Sequence, residues 1–336
     1  MRVAEVGEAF LAAGANLNAN ASNVTLTAVN TVAVNAIATS KSEDGSKTGI
    51  GLSFALNIAP ITTRAELEDT FVLTGGRDLT LAATTTPTII TRAAAGAGGD
   101  SFSLGGAVAL AIGDTRTTAR IGTLTGSTSL TGAISVKAYE EDGANVTSAD
   151  GAAAGNNVGI GLAIAVNITT DRARATTERI LTTTGTAAST IETKVVSRTE
   201  VTTLASVKGE SKDQPADKDS SQEQSDKNSN FAKTKAPAGT DTQNGQGSDQ
   251  STSDGPVGVA AAISVNVSTV TSEAAVLEDL TTAGTLTLRS LANGDAVLKA
   301  DGSATVLPTK TMTFDPTASG VVDLAGNTIT VGNHGW

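Results

Sequence analysis

The chain has 336 residues, a net charge of −11, no cysteine and only 2% aromatic residues. This composition excludes a disulfide scaffold and a thiolate metal site, and it leaves burial to Leu, Ile, Val and Ala. The acidic charge and the lack of a Lys/Arg cluster argue against a nucleic-acid partner. No apolar run approaches a length of about 18 residues, which would predict a transmembrane helix.

The first residues of the chain lack a secretion signal. Glu5 and Glu8 fall where such a signal has a basic start and a long apolar stretch. Residues 1–48 match only the second part of the repeat described next, so we expect the chain to begin inside a longer array. The alternative is a short amphipathic helix over residues 1–17 that caps the array, because the ends of a stacked-repeat protein need covering.

A strand-like motif returns along the chain at a nearly fixed interval. Its first copy is Phe54-Ala-Leu-Asn-Ile58, and its central position recurs at residues 56, 110, 166 and 265, which are 54, 56 and 99 residues apart. A second motif, of the Val24-Thr-Leu26 type, keeps the same register. A period of about 55 residues predicts repeats that stack on their neighbours. The predicted units are a partial repeat at 1–48, repeats at 49–102, 103–157 and 158–304, and the truncated start of a further β module at 305–336.

The alternation within the first motif predicts β-strands. Large apolar residues at 52, 54, 56 and 58 alternate with smaller or polar residues at 53, 55 and 57, which is the period of two of a strand. We therefore predict an all-β fold, a parallel β-solenoid (β-helix) in which each repeat forms two or three rungs. Tandem small β-sandwiches are the alternative, which we disfavour because units so poor in aromatic residues make weak independent cores.

The same motif predicts which side chains point inward and where the turns fall. Paired glycines such as Gly105-Gly106 predict turns between short strands. The Asn residues of the motif are expected on the face opposite the core, where their amides could hydrogen-bond from repeat to repeat. The large residues expected to point inward are Leu56, Leu110, Val166 and Val265, and the Asn column comprises Asn57, Asn167 and Asn266, with Ala111 as an interruption.

The repeats differ most just before the first motif. There the fourth repeat holds a long insert, residues 208–254, rich in Ser, Asp, Lys, Gln and Gly, with Phe231 as its one aromatic residue. Such a composition cannot bury enough apolar surface to offset chain entropy, so we predict a disordered insert. Insertions at equivalent positions of a solenoid emerge on one face, which predicts one tolerant edge.

A column of acidic residues raises the question of metal binding. Glutamates follow the three Asn positions by 11 or 12 residues, and aspartates stand beside two of them. Stacked carboxylates repel one another unless cations or turns separate them, but calcium prefers six to eight oxygen ligands. Structural calcium is therefore a hypothesis, and no other cofactor is expected. The candidate metal ligands are Glu68, Asp69, Glu178, Glu278 and Asp279.

Catalytic constellations are sparse, so we expect no enzyme activity. There is no Cys, and the single histidine, His334, lies in a Gly-rich turn near the C-terminus. Paired carboxylates can hydrolyse glycosides on β-helical enzymes, and the best cluster is Tyr139-Glu-Glu-Asp142. Adjacent carboxylates before a glycine are more simply interpreted as a solvated turn.

Two segments carry a resemblance to a known class of proteins. The motif Gly-Ile-Gly-Leu-Ala-Ile-Ala-Val-Asn-Ile at 159–168 resembles repeats of giant bacterial surface and secreted proteins, the filamentous-haemagglutinin-like and adhesin-like arrays. Residues 314–335, with Asn-Thr-Ile-Thr before a His-Gly turn, are similar to a short module found between such arrays.

The resemblance implies a structural, adhesive or spacer role in a large secreted or cell-surface bacterial protein. We therefore expect this chain to be a structural or adhesive stalk or scaffold segment. Its partners would be flanking repeats of a longer parent chain and an unidentified host or cell-surface ligand. The alternative function is a carbohydrate-active β-helix, such as a polysaccharide lyase or a tailspike-like protein, which would need a cleft with convergent carboxylates and stacked aromatic residues.

Overall fold

The computed structural model describes residues 1–42, 47–99, 101–155, 158–207 and 257–304. The predicted disordered insert, the module at 305–336 and His334 lie outside these ranges. The described residues form strands joined by turns and contain no helix. Accordingly, this part of the chain offers no helix of the length and apolarity that a membrane crossing requires.

Fifteen strands are described, and most are unusually long. Nine of them have 19 to 22 residues, whereas a typical strand has about five or six. In chain order they are β1 (Glu5–Leu11), β2 (Asn16–Asn18), β3 (Val24–Ser42), β4 (Thr48–Leu67), β5 (Val72–Thr74), β6 (Leu79–Gly99), β7 (Phe102–Ile121), β8 (Ser127–Leu130), β9 (Ile134–Gly155), β10 (Val158–Thr177), β11 (Ile180–Thr183), β12 (Ser189–Val207), β13 (Val257–Val276), β14 (Leu280–Thr282) and β15 (Leu286–Ala304).

The strands build a parallel β-solenoid. The first sheet has the order β1-β4-β7-β10-β13, and the second has the order β15-β12-β9-β6-β3. Short strands complete the coils in the sheet β14-β11-β8 and the pair β2-β5. All pairing between these strands is parallel and joins successive repeats, which favours a solenoid over tandem β-sandwiches. The N-terminal segment forms strand β1 on β4 instead of a cap helix.

The repeat register read from the sequence is confirmed. Leu56 pairs with Leu110, Leu110 with Val166 and Val166 with Val265, so the motif positions form one line across the first sheet. The expectation of two or three rungs per repeat is wrong, because each repeat makes a single coil of one long strand, one short strand and a second long strand. The two long strands, of 20 and 21 residues in β4 and β6, leave room only for one short strand and the turns.

The coil is wide at the end that carries the short strands. Large apolar side chains from both long sheets and the short strands meet there in the main hydrophobic core. This cluster includes Leu67, Phe71, Leu73, Leu79, Leu81, Ile121, Leu130, Ile134, Val136, Leu181, Ile191 and Val195.

At the opposite end the two long sheets come so close that the first sheet places only small residues between them. A Cβ atom added to Gly105 would lie 1.8 Å from the carbonyl oxygen of Ala152, and one added to Gly161 would lie 2.6 Å from that of Ser206. The next inward positions are filled by a cluster of buried alanines that includes Ala109. The connections from β3, β6, β9 and β12 to the following coil leave from this narrow edge. These connections are the position at which the repeats differ most in sequence.

The narrow end reverses the predicted facing of the first motif. Ala55 and Asn57 are buried, whereas Leu52 and Phe54 are 63% and 59% exposed. The expectation that the positions Leu56, Leu110, Val166 and Val265 point inward is therefore wrong. Side chains of that size cannot fit between sheets this close, so they stand on the outer face. Gly105-Gly106 is likewise not a turn, because it lies inside β7.

Adjacent glycines on β7 provide a matched test of this narrow end. We expect Gly105→Ala to lower the free energy of unfolding by at least about 3 kcal/mol, because its methyl group would press on backbone. Gly106 faces outward, and its added Cβ would meet only the flexible end of Leu52, at 2.8 Å. We expect Gly106→Ala to stay within about 1 kcal/mol of the parent in chemical denaturation. Equal losses in the two variants would contradict the close approach of the sheets.

Candidate functional site

The acidic column forms ion pairs with arginines. Glu68 Oε1 lies 3.2 Å from Arg64 Nη1, Asp69 Oδ1 lies 2.5 Å from Arg120 Nη2, and Glu178 Oε2 lies 2.9 Å from the same Arg120 nitrogen. Arg120 thus links acids of the coils on either side of its own. The arginines place positive charge among the stacked carboxylates, where the calcium hypothesis would place a cation.

The remaining candidate ligands sit at the far end of the stack. Leu277 occupies the position equivalent to Glu178, so Glu278 is one residue out of the column, and Asp279 accepts the backbone N–H of Leu181 with its main-chain oxygen at 2.9 Å. In the part of the chain that is described, no group of three or more acidic or histidine side chains is arranged to hold a metal ion. Calcium binding stays a prediction.

One residue close to these ion pairs was missed by sequence reasoning. Arg179 is fully buried, and its guanidinium donates hydrogen bonds to the carbonyl oxygens of Gly122, Phe71 and Glu68 at 2.5, 2.7 and 3.2 Å. Burial lowers the pKa of Arg179 to about 10, which leaves it protonated at neutral pH. It fastens the turn of its own coil to the turns of the two preceding coils, a role that no local sequence signal reveals.

The Asn column lies inside the solenoid and makes one amide contact between neighbouring repeats. Asn167 Nδ2 donates to Asn266 Oδ1 at 2.8 Å, which confirms the predicted amide contact between repeats. Asn57 Nδ2 instead points across to the second sheet, towards the carbonyl oxygens of Val34 and Ile90 at 3.3 and 3.4 Å. Because both Asn57 and Asn167 are fully buried, the column lies between the sheets and not on the outer face.

The acidic run at 139–142 is not a solvated turn. It lies in the middle of β9, at a bulge where Asp142 has a φ of 50°. Tyr139 Oη donates to Glu192 at 2.6 Å, Glu141 pairs with Lys194 at 3.4 Å, and Glu140 points inward and is fully buried. Strand alternation therefore sends neighbouring carboxylates to opposite sides of the sheet, which does not form the facing pair that glycoside hydrolysis needs.

Glu140 and Asp171 form a buried acidic pair between the sheets. Burial and then the nearby Asp171 carboxyl raise the pKa of Glu140 well above its usual range. Burial also raises the pKa of Asp171, although hydrogen bonds from Ser197 (2.6 Å) and Thr115 oppose that shift. Apart from the neighbouring Asp171 carboxyl, no described residue offers the carboxyl oxygens of Glu140 a hydrogen bond. Such a group is costly to keep inside a protein when it is ionised.

The outer surface of the first sheet is apolar over half of its length. We call the alternate positions 50–58 of β4, 104–112 of β7, 160–168 of β10 and 259–267 of β13 the apolar face; Gly106 and Ala261 are its only small residues. All of these side chains point outward, and several are about half exposed, including Ile263 at 52%. Beyond them the same strands carry outward charges such as Arg116, Arg174 and Glu273. The first sheet thus has an apolar half and a charged half.

Comparison with protein-family models, with curated proteins and with solved structures finds no match for this chain.

Two neighbouring residues of β10 test the interior Asn column. We expect Asn167→Asp to destabilise the fold by several kcal/mol, because it removes the donor to Asn266 and buries a carboxyl group. Val166→Asp should cost less, since its side chain lies on the outer face within reach of water. Chemical denaturation measures the stability of both variants. A larger loss of stability for Val166→Asp would show that Val166 points inward and would contradict the facing described here.

The acidic pair predicts a specific pH dependence. Because the folded protein holds the Glu140 proton more tightly than the unfolded chain, its stabilising contribution is complete below the ordinary glutamate pKa. It is lost as pH rises through the raised folded pKa, by up to about 1.4 kcal/mol per pH unit. Glu140→Gln, which stays neutral, should therefore lose stability less steeply than the parent between acidic and neutral pH. Parallel curves for the two proteins would show that Glu140 does not titrate in this way.

Proposed function

We propose that this chain is a structural and adhesive scaffold segment of a large secreted or cell-surface bacterial protein, without catalysis of its own. The observation that carries the proposal is the unbroken ladder of parallel strands, with equivalent residues in register from coil to coil. Such a ladder continues wherever further repeats are stacked on it. The resemblance of the 159–168 motif to adhesin-like arrays supports the proposed cellular setting.

The dimensions of the coil favour a scaffold over a long spacer. A strand of about 20 residues spans roughly 65 Å, whereas each repeat of about 55 residues advances the stack by only about 4.8 Å. The protein therefore lengthens slowly along the stacking direction as repeats are added, but each repeat adds a full strand to two broad sheets. This geometry suits a protein that presents surface.

No observation favours the carbohydrate-active alternative. The acids of the best candidate run diverge across β9, and Tyr139 is hydrogen-bonded to Glu192. The dimple on the first sheet is lined by apolar residues such as Val108 and Ile164.

Duplicating one repeat tests the stacked architecture. A second copy of residues 102–157 inserted after residue 157 should add one coil, so the maximum dimension in solution scattering should change by only a few Å. Independent domains of this size would each add roughly 25 Å. An increase of that order, or a second unfolding transition, would contradict a continuous scaffold.

Surface display can be tested separately. An antibody raised against the described solenoid should label intact cells of the source organism or detect the protein in the medium. Protease treatment of intact cells should remove the cell-bound signal. Labelling that requires lysis of the cells would contradict the proposed location.

A further inference from the structure

We propose that the apolar face is a self-association surface, on which a second copy of this chain packs its own apolar face. The face comprises four neighbouring strands whose outward positions contain no polar residue over five consecutive rows. Soluble monomers rarely leave so regular an apolar surface exposed. The inference goes beyond the proposed function, since a scaffold segment could act alone.

The size of the face fits such a pair. Four strands about 4.8 Å apart and nine residues at about 3.3 Å per residue give roughly 600 Å² on each copy. Two copies would bury about 1,200 Å², which reaches the lower range of stable protein interfaces. Two sheets packed through aliphatic side chains would resemble the interior of a β-sandwich.

The surface also has the relief that a self-complementary interface needs. Gly106 leaves a dimple of about 340 Å³ between Leu52, Val108 and Leu162. Beside it Phe54 stands 59% exposed. A two-fold interface requires each copy to offer both projecting and receiving features on one surface. Strand β7 carries both, the dimple at Gly106 and the outward side chains of Val108 and Leu110.

Charge selects the orientation of the pair. A two-fold axis along the stacking direction, through the apolar half, brings the two apolar halves together and sends the charged halves in opposite directions into solvent. An axis parallel to the strands would instead press the two charged halves together, which would remove water from ion pairs such as Arg116 with Asp114. We therefore infer strands that run antiparallel across the interface.

The chemistry of the face argues for protein over lipid. Its positions include one Phe but no Trp, Tyr, Lys or Arg, the residues that anchor proteins at a membrane interface. The net charge of −11 also opposes approach to an anionic bilayer. A second copy of the chain, in contrast, can bind through the apolar face alone.

Sedimentation velocity of the full 336-residue chain over a wide micromolar range tests the proposal. The parent should dimerise as concentration rises. Ile164→Lys, in the middle of the apolar face, should raise the dimer dissociation constant by about tenfold or more. Thr170→Lys, outward on the same strand but next to Asp114 in the charged half, should leave it unchanged. Should Ile164→Lys alter the melting temperature, Phe54→Lys at a more exposed position decides in its place.

Three results would overturn the proposal. The parent could remain monomeric at every concentration, or it could dimerise equally in all the variants, which would put the interface elsewhere. A monomeric parent that floats with neutral phosphatidylcholine vesicles would show that the face meets lipid. None of these results would alter the stacked architecture, which the repeat duplication tests on its own.

Discussion

The close approach of the two long sheets governs the rest of this molecule. Where the backbones nearly touch, a strand of the first sheet can place only Gly, Ala or a small polar residue inward, and its other face must take every large side chain. The first half of each strand in the first sheet follows this rule in all four repeats. The second half runs towards the short strands, where the sheets diverge and Leu67 or Ile121 can point inward. One strand thus changes from an apolar exterior to an apolar interior along its length.

Because the sheets are too close at one end to enclose a large core, contacts between coils supply much of the stability. Backbone ladders run the length of both sheets, and side chains add ties at each level: the amides of Asn167 and Asn266, the arginine pairs of Arg120 and the guanidinium of Arg179. A single coil would leave most of these groups exposed or unpaired, so stability has to grow with the number of coils. The buried Glu140 and Asp171 weaken this scheme when ionised, since a buried carboxylate without full hydrogen bonding is unfavourable.

Sequence reasoning captured the periodic features of the fold and missed the absolute dimensions. The register of Leu56 with Leu110 and Val166 could be read directly, because it depends only on self-similarity. The number of rungs could not, because ordinary strand lengths predict several short strands where the protein makes two long ones. The facing of Val166 was misjudged because apolar residues usually lie inside; the uniformly small residues at alternate positions, Gly159 to Ala165, were the signal of a narrow interior.

The polar sites were predictable to a lesser degree. The amide contact followed from the Asn column, and the acidic column led to Glu68, Asp69 and Glu178. Arg64 lies four residues before Glu68 in the same coil. Arg120, the partner of Asp69 and Glu178, comes from a neighbouring coil at a different strand position, so spacing alone did not reveal it. Glu140 continues the inward alternation of Ile134, Val136 and Ala138 ahead of the bulge in β9, a facing at odds with the usual exposure of a carboxylate. The three-way contact of Arg179 depends on stacked turns.

The absence of cysteine allows the central claim, that small residues of the first sheet lie inside and large ones outside, to be measured directly. Single cysteines placed at positions 162 to 169 of β10 can be labelled with a soluble maleimide under native conditions, at low protein concentration. The account predicts fast reaction at even positions and strong protection at odd ones, including Ala163, Ala165 and Asn167. Fast reaction at the odd positions and protection at Ile164 and Val166 would contradict it.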